Sequence, residues 1–196
     1  MMLLMLPLLG VAQVKDAKYL AKDAVPVENG RVIFTKEIEI PMNVTDIYAA
    51  VQEWAGEQYA PVEGMPNHKV ISNNTEAYEV TAGAEEWMVF ANKFLSLDRT
   101  RVYYKINLAC YDKKVVARIY DIRYWYEEER ERGTKFSAEE WITNEWALNK
   151  KGTKLSKKSG KFRRKTIDRA EEIFRRFDIH KNNRAFSGFD SLIPFW

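Results

Sequence analysis

An α+β domain, with helices grouped on one face of an antiparallel sheet, is the fold class this sequence predicts. Three observations carry the prediction. Arg101–Tyr111 and Lys114–Tyr126 read as a long hairpin of alternating faces. Phe162, Thr166, Ile167, Ala170, Ile173, Phe174 and Phe177 recur at intervals of three and four, the spacing of a helix with one apolar stripe. The order along the chain is strand, helix, four or five strands, short helix, long helix, and runs of strands followed by helices make α+β domains.

The elements follow in order. Met1–Ala12 is apolar without a charge and ends in Gly10-Val-Ala12 before Gln13. Small residues at the third and first positions before a cut fit a signal peptidase site, although the Lys or Arg that usually opens a signal is missing. Residues 1–12 are thus expected to be a signal peptide cleaved before Gln13. Twelve residues fall short of the roughly 20 that cross a bilayer, so no transmembrane span is expected. The location this predicts is outside the cytosol. Residues 13–24 read as a leader of little pattern, and 25–178 as a single domain of ordinary size.

Asn29-Gly30 marks a turn, and the strand over 31–40 is closed by Pro41. Asn43 is an N-cap candidate with Asp46 in the first turn, and Ile47, Tyr48, Val51, Trp54 and Ala55 give an amphipathic helix over 44–58. Lys69–Ser72 and Glu76–Thr81 are expected to flank a turn at Asn73-Asn74, with a further strand over 85–94. A two-residue turn at Asp112-Lys113 pairs Tyr111 with Lys114, Leu108 with Ala117 and Ile106 with Ile119. One face of the hairpin then holds Val102, Tyr104, Ile106, Leu108, Cys110, Val115, Ala117 and Ile119. The other holds Tyr103, Lys105, Asn107, Arg118, Tyr120, Ile122 and Tyr124. Ser137-Ala-Glu-Glu140 is a capping box that opens a short helix over 138–149. Lys150–Gly160 is a linker, the long helix follows with arginines on its flanks, and 179–196 is an aromatic tail.

Charge and chemistry narrow the function. The chain carries +3, but residues 150–184 hold 14 basic and 4 acidic groups against 17 and 24 elsewhere. Such a segment is expected to be a solvated helix face plus a soluble linker; as a binding surface in an exported protein it would suit anionic lipid or polysaccharide, and no nucleic-acid partner is expected. Cys110, the single cysteine, sits in an apolar strand pattern and reads as a buried inert thiol. His68 and His180 lack metal-ligand spacing, so neither a metal nor a cofactor is expected. There is no hydrolase or phosphate-loop motif, and the sequence predicts no enzyme. Glu85/Glu86 point to opposite faces of one strand, and Glu140 is spent on the cap. Asp121 falls on the apolar face opposite Tyr104, where a charge needs a partner; Arg123 or an arginine of the long helix would supply a structural ion pair.

Several segments together resemble a known family: Val25–Phe34, Trp54, Tyr104-Lys-Ile-Asn-Leu108, Ile119–Tyr124, Ala138–Thr143, Ala147-Leu-Asn149 and Gly160–Asp168. The chain looks like the exported bacterial domains of unknown function described as having a TATA-box-binding-protein-like (TBP-like) fold. The resemblance covers roughly 25–177. It implies a β-α-β(4)-α core, a curved antiparallel sheet with a long C-terminal helix packed across one face, an envelope location and no established activity. By analogy with helix-grip proteins of the same broad fold, an apolar ligand would sit between sheet and helix.

The expectation is therefore an exported, non-enzymatic binding domain of the periplasm or outer envelope. It would hold an apolar small molecule or a partner chain between the sheet and the helix at 161–177. The residues expected to line that site are Tyr104, Ile106, Ile119, Asp121, Phe162, Thr166 and Phe174. The alternative is an envelope protein–protein interaction or structural module, with Tyr103, Tyr120 and Tyr124 as surface contacts. A hydrolase using Asp121 or a glutamate is the third reading.

Overall fold

A computed structural model describes residues 11–93, 96–128 and 133–187, with side chains over 16–92, 97–128 and 133–178. The elements are α1 (Val11–Leu20), β1 (Val27–Glu28), β2 (Arg31–Val32), β3 (Phe34–Glu39), α2 (Val44–Gln58), β4 (Lys69–Asn74), β5 (Glu79–Lys93), β6 (Ser96–Tyr111), β7 (Lys114–Tyr126), β8 (Thr134–Ser137), α3 (Asn144–Ala147) and α4 (Gly160–Ser187). The main sheet is antiparallel, in the order β3-β7-β6-β5-β4, and β8 pairs with the far end of β7. Helices α2 and α4 pack on one face of it, as an α+β domain requires.

The central hairpin has the register expected from its sequence: Tyr111 faces Lys114, Leu108 faces Ala117 and Ile106 faces Ile119. The turn needs a left-handed residue, and Lys113 supplies it at φ 63° although it is not glycine. Helix α2 starts where the Asn43 side chain accepts from the Asp46 amide at 3.0 Å. It buries Ile47, Tyr48, Val51, Trp54 and Ala55 against the sheet. Trp54 meets Phe177 of α4 edge to face at 5.0 Å, so the two helices share one core.

Three boundaries differ from expectation. Asn73 and Asn74 continue β4, and the turn falls at 75–78, where the Asn74 carboxamide oxygen accepts from the Glu76 and Ala77 amides. The strands expected at 76–81 and 85–94 are one long β5. The capping box at Ser137 forms, with Ser137 N donating to Glu140 Oε2 at 3.2 Å and Glu140 N to Ser137 Oγ at 3.3 Å. The helix it was expected to open is only turns until α3.

Residues 13–24 are not a patternless leader, because α1 occupies most of them and docks on α4. The tie is Arg163, which is fully buried and so does not lie on a solvated flank. Its Nε donates to Tyr19 O at 2.7 Å, Nη1 to Ile142 O at 2.8 Å and Nη2 to Ala21 O at 3.1 Å. A guanidinium offers donors in a fixed fork, and here that fork caps the last carbonyls of α1. Burial pulls the Arg163 pKa below the ordinary arginine value. Residues 1–10, which include most of the expected signal, and 188–196 of the expected tail lie outside the described residues.

Candidate functional site

The apolar interior between sheet and long helix was the expected ligand site, and it is full; the space that does open between β5 and α4, about 420 Å3, is a cleft at the margin lined mostly by charged side chains. Ile106, Ile119 and Phe162 are buried, and Tyr104 lies in the same core. Phe162 is the hub of an aromatic cluster, with ring centroids of Phe90 at 4.4 Å, Tyr124 at 5.2 Å, Phe136 at 5.3 Å and Tyr126 at 5.4 Å. The Thr166 hydroxyl is engaged by the Tyr124 hydroxyl at 2.6 Å. Phe174 packs at the margin of the core. The void left beside Tyr104, Ile119 and Thr166 measures about 10 Å3. That is room for one water at most, not for an apolar ligand.

Asp121 is not on the apolar face. Between the pairs Lys105↔Tyr120 and Tyr103↔Arg123, two residues of β7, Asp121 and Ile122, stand opposite Tyr104 alone. This is a β-bulge, and Asp121 takes the left-handed conformation at φ 54° that aspartate tolerates better than most residues. One inserted residue reverses the alternation beyond it. Ile122 and Tyr124 therefore turn into the core, and Arg123 and Trp125 turn out beside Tyr103 and Lys105. Tyr124, expected as a surface contact, is 1% exposed. Tyr103 and Tyr120 stay partly exposed on the outer face. Asp121 bridges Lys105 Nζ at 3.1 Å and Arg123 Nε at 3.3 Å, so Arg123 is one of its partners, and among the described side chains no arginine of α4 is.

The outer face that the bulge builds carries an open groove of about 530 Å3. Its floor is Gly83, Tyr103 and Lys105. Lys69 and Ile71 of β4 form one side, with Asn67 above them, and Arg123, Trp125 and Lys135 form the other. Gly83 is required here, since a Cβ would sit 2.7 Å from Asn67 O and 3.2 Å from Ile71 Cδ1. Lys135 Nζ stands 4.4 Å over the Trp125 ring. Four cations, Lys69, Lys105, Arg123 and Lys135, thus border the groove, and Asp121 offsets one of them.

Under the same face lies Glu85, 2% exposed. It accepts from Arg101 Nη1 at 2.7 Å, Asn67 Nδ2 at 2.8 Å and Asn67 N at 3.1 Å. Burial pushes its pKa up, but the bonds from Arg101 and Asn67 together outweigh burial and hold it below the ordinary glutamate value. Those bonds keep the carboxylate ionised and occupied, which suits a structural charge better than an acid catalyst. Tyr103 beside it has its pKa raised, first by burial and then by the Glu85 charge. Burial and Glu79 push the Cys110 thiol up to about 12. Among the described residues no group of three His, Cys, Asp or Glu side chains is placed to hold a metal. No helix of the described residues is long and apolar enough to cross a membrane.

Sequence reasoning missed Lys69, Trp125 and Lys135 as groove residues. Only the bulge brings Trp125 outward, and only the pairing of Lys135 with Trp125 brings β8 to the groove. The signal for the bulge was Asp121 itself, an acid interrupting an otherwise apolar row.

A curved antiparallel sheet with a C-terminal helix across one face is the TBP-like class of α+β domain. The family described as a domain of unknown function (DUF4468) with TBP-like fold matches residues 34–125, from the start of β3 to the end of β7. The crystal structure of a DUF4468 family protein from Bacteroides ovatus is 35% identical, covering 85% of this chain and 94% of that one, with a TM-score of 0.78. This chain belongs to the DUF4468 family. The crystal structure of a TBP-like protein from Parabacteroides distasonis has the same fold, at 23% identity, with 82% and 99% of the two chains covered and a TM-score of 0.68. No curated protein matches the chain.

Proposed function

We propose that this protein is an exported, non-enzymatic binding domain of the cell envelope, and that its ligand occupies the outer-face groove. The observation that carries the reading is a contrast of spaces: the void in the apolar core under α4 is about 10 Å3, a cleft of about 420 Å3 at the margin of β5 and α4 is lined mostly by charged side chains such as Glu86, Arg169 and Glu172, and the outer-face groove of about 530 Å3 joins ring faces to cations. Ligand sites are concave, with a mostly apolar lining and a few convergent polar groups. Tyr103 and Trp125 supply ring faces, and the four bordering cations supply charge. The ligand is then an anionic ring compound, and a uronic-acid oligosaccharide is one class that offers both rings and carboxylates along an open groove. The apolar run at Met1–Ala12, ending in the small residues Gly10 and Ala12, supports export.

The test is calorimetric titration with a galacturonic-acid trisaccharide. Wild type should bind it, and Tyr103→Ala combined with Lys105→Ala should bind roughly tenfold more weakly, a loss of about 1.4 kcal/mol. Both side chains are on the outer face, so the fold should survive. Equal affinity in the two proteins, or none in wild type, contradicts the assignment.

A further inference from the structure

The segment from α3 to the start of α4 shares no residue with the groove and concentrates the protein's positive charge. Residues 144–158 contain five lysines and one acid, Glu145, whereas the other 181 residues contain 26 basic and 27 acidic groups. Lys150, Lys151, Lys154, Lys157 and Lys158 are all exposed, and none forms an ion pair with a described residue. At the base of this loop Trp146 is 53% exposed, so an indole ring stands in solvent beside the lysines in sequence.

The loop is built to hold this display in place. The Asn149 carboxamide oxygen accepts from the Thr153 amide at 2.8 Å and from the Lys154 amide at 3.2 Å. Ser156 N donates to Ala147 O at 2.8 Å, and Leu148 bridges to Leu155. Ser159 Oγ donates to Trp146 O at 2.7 Å, fixing the backbone that carries the indole. Gly152, at φ 68°, makes the reversal.

We propose that this loop is a peripheral docking site for an anionic lipid surface. Unpaired lysines are drawn to anionic headgroups. Tryptophan partitions to the boundary between headgroup and acyl chain, where its ring is apolar and its N–H stays wet. A soluble polyanion would use the lysines but would give no reason to expose the indole. Lysine and tryptophan together fit a lipid surface.

The test is cosedimentation of the full chain with phosphatidylcholine vesicles, with and without about 30% phosphatidylglycerol, near 0.1 M salt. Wild type should bind the anionic vesicles and leave the zwitterionic ones in solution. Each Lys→Gln change at 150, 151, 154, 157 or 158 should lower partitioning about fivefold, and all five together should abolish it. Lys36→Gln, an exposed lysine on β3, should change nothing. Acyl-chain brominated vesicles should quench tryptophan emission in wild type and not in Trp146→Phe. Binding that survives the five substitutions, or that is as strong on zwitterionic vesicles, overturns the proposal. So does retention on polyphosphate by a wild type that ignores the vesicles.

Discussion

Replacing Arg163 by methionine isolates the contribution of the buried guanidinium, because methionine keeps most of the volume and none of the donors. The side chain makes three hydrogen bonds, to Tyr19 O, Ile142 O and Ala21 O, and is fully buried. Bonds involving a charged group contribute about 1.5–3 kcal/mol each. Their loss is partly offset, since taking a guanidinium out of water costs several kcal/mol that the variant no longer bears. Three carbonyls are left short of a donor in return. The balance is a destabilisation of about 3 kcal/mol, or a fall in Tm of roughly 6–12 °C for a domain of this size. The loss should also be local at first. Limited proteolysis should cut near α1 below the global transition, because α1 is held to α4 by this fork together with the exposed or half-exposed contacts of Lys18 and Tyr19 with Asp168, Lys18 with Glu171 and Asp16 with Arg164. Scanning calorimetry with timed proteolysis reads both effects. A Tm within about 2 °C of wild type, with α1 still protected, would refute the role assigned to Arg163.

Glu85 should make stability depend on acid. Its folded pKa is depressed, so the stability it confers is fully present above the ordinary glutamate value, about 4.3, and is lost as pH falls through the folded value. Urea midpoints from pH 6 to pH 3 should fall less steeply in Glu85→Gln than in wild type, and parallel curves would count against this. Thr166→Val removes the partner of the buried Tyr124 hydroxyl and should cost about 1–3 kcal/mol by urea denaturation without changing affinity for the trisaccharide. Cys110, buried with its pKa at about 12, should resist iodoacetamide at pH 8 until the protein unfolds. Rapid native labelling would show that the strand opens.

Much of the fold was legible because periodicity reports local geometry. The Phe162–Phe177 stripe, the Asn43 cap and the even turn at Asp112-Lys113 each follow from side-chain spacing and the chemistry of one turn. The bulge was not legible, since alternation is read by assuming that it continues. Asp121 broke the apolar row, and the simplest repair was a partner on the same face. The chain instead inserted a residue, which moved Asp121 out and Tyr124 in. Arg163 was misplaced for a related reason. Arginines beside an apolar stripe ordinarily face water, and two of the three carbonyls that reward its burial lie at the C-terminal end of α1, more than 140 residues away. The apolar site between sheet and helix was expected because two apolar faces oppose each other there. Faces that match that well pack on each other, with Phe162 filling the space a ligand would need.

The central claim is that ligand meets the outer face of the sheet and not the space under the helix. Backbone amide NMR of the labelled protein, titrated with the galacturonic-acid trisaccharide, places the contact directly. Shifts should cluster at Gly83, Tyr103, Lys105, Arg123 and Lys135 and leave Met88, Ala170 and Ile173 still. Shifts centred on Met88, Ala170 and Ile173 would put the ligand between sheet and helix and contradict the account.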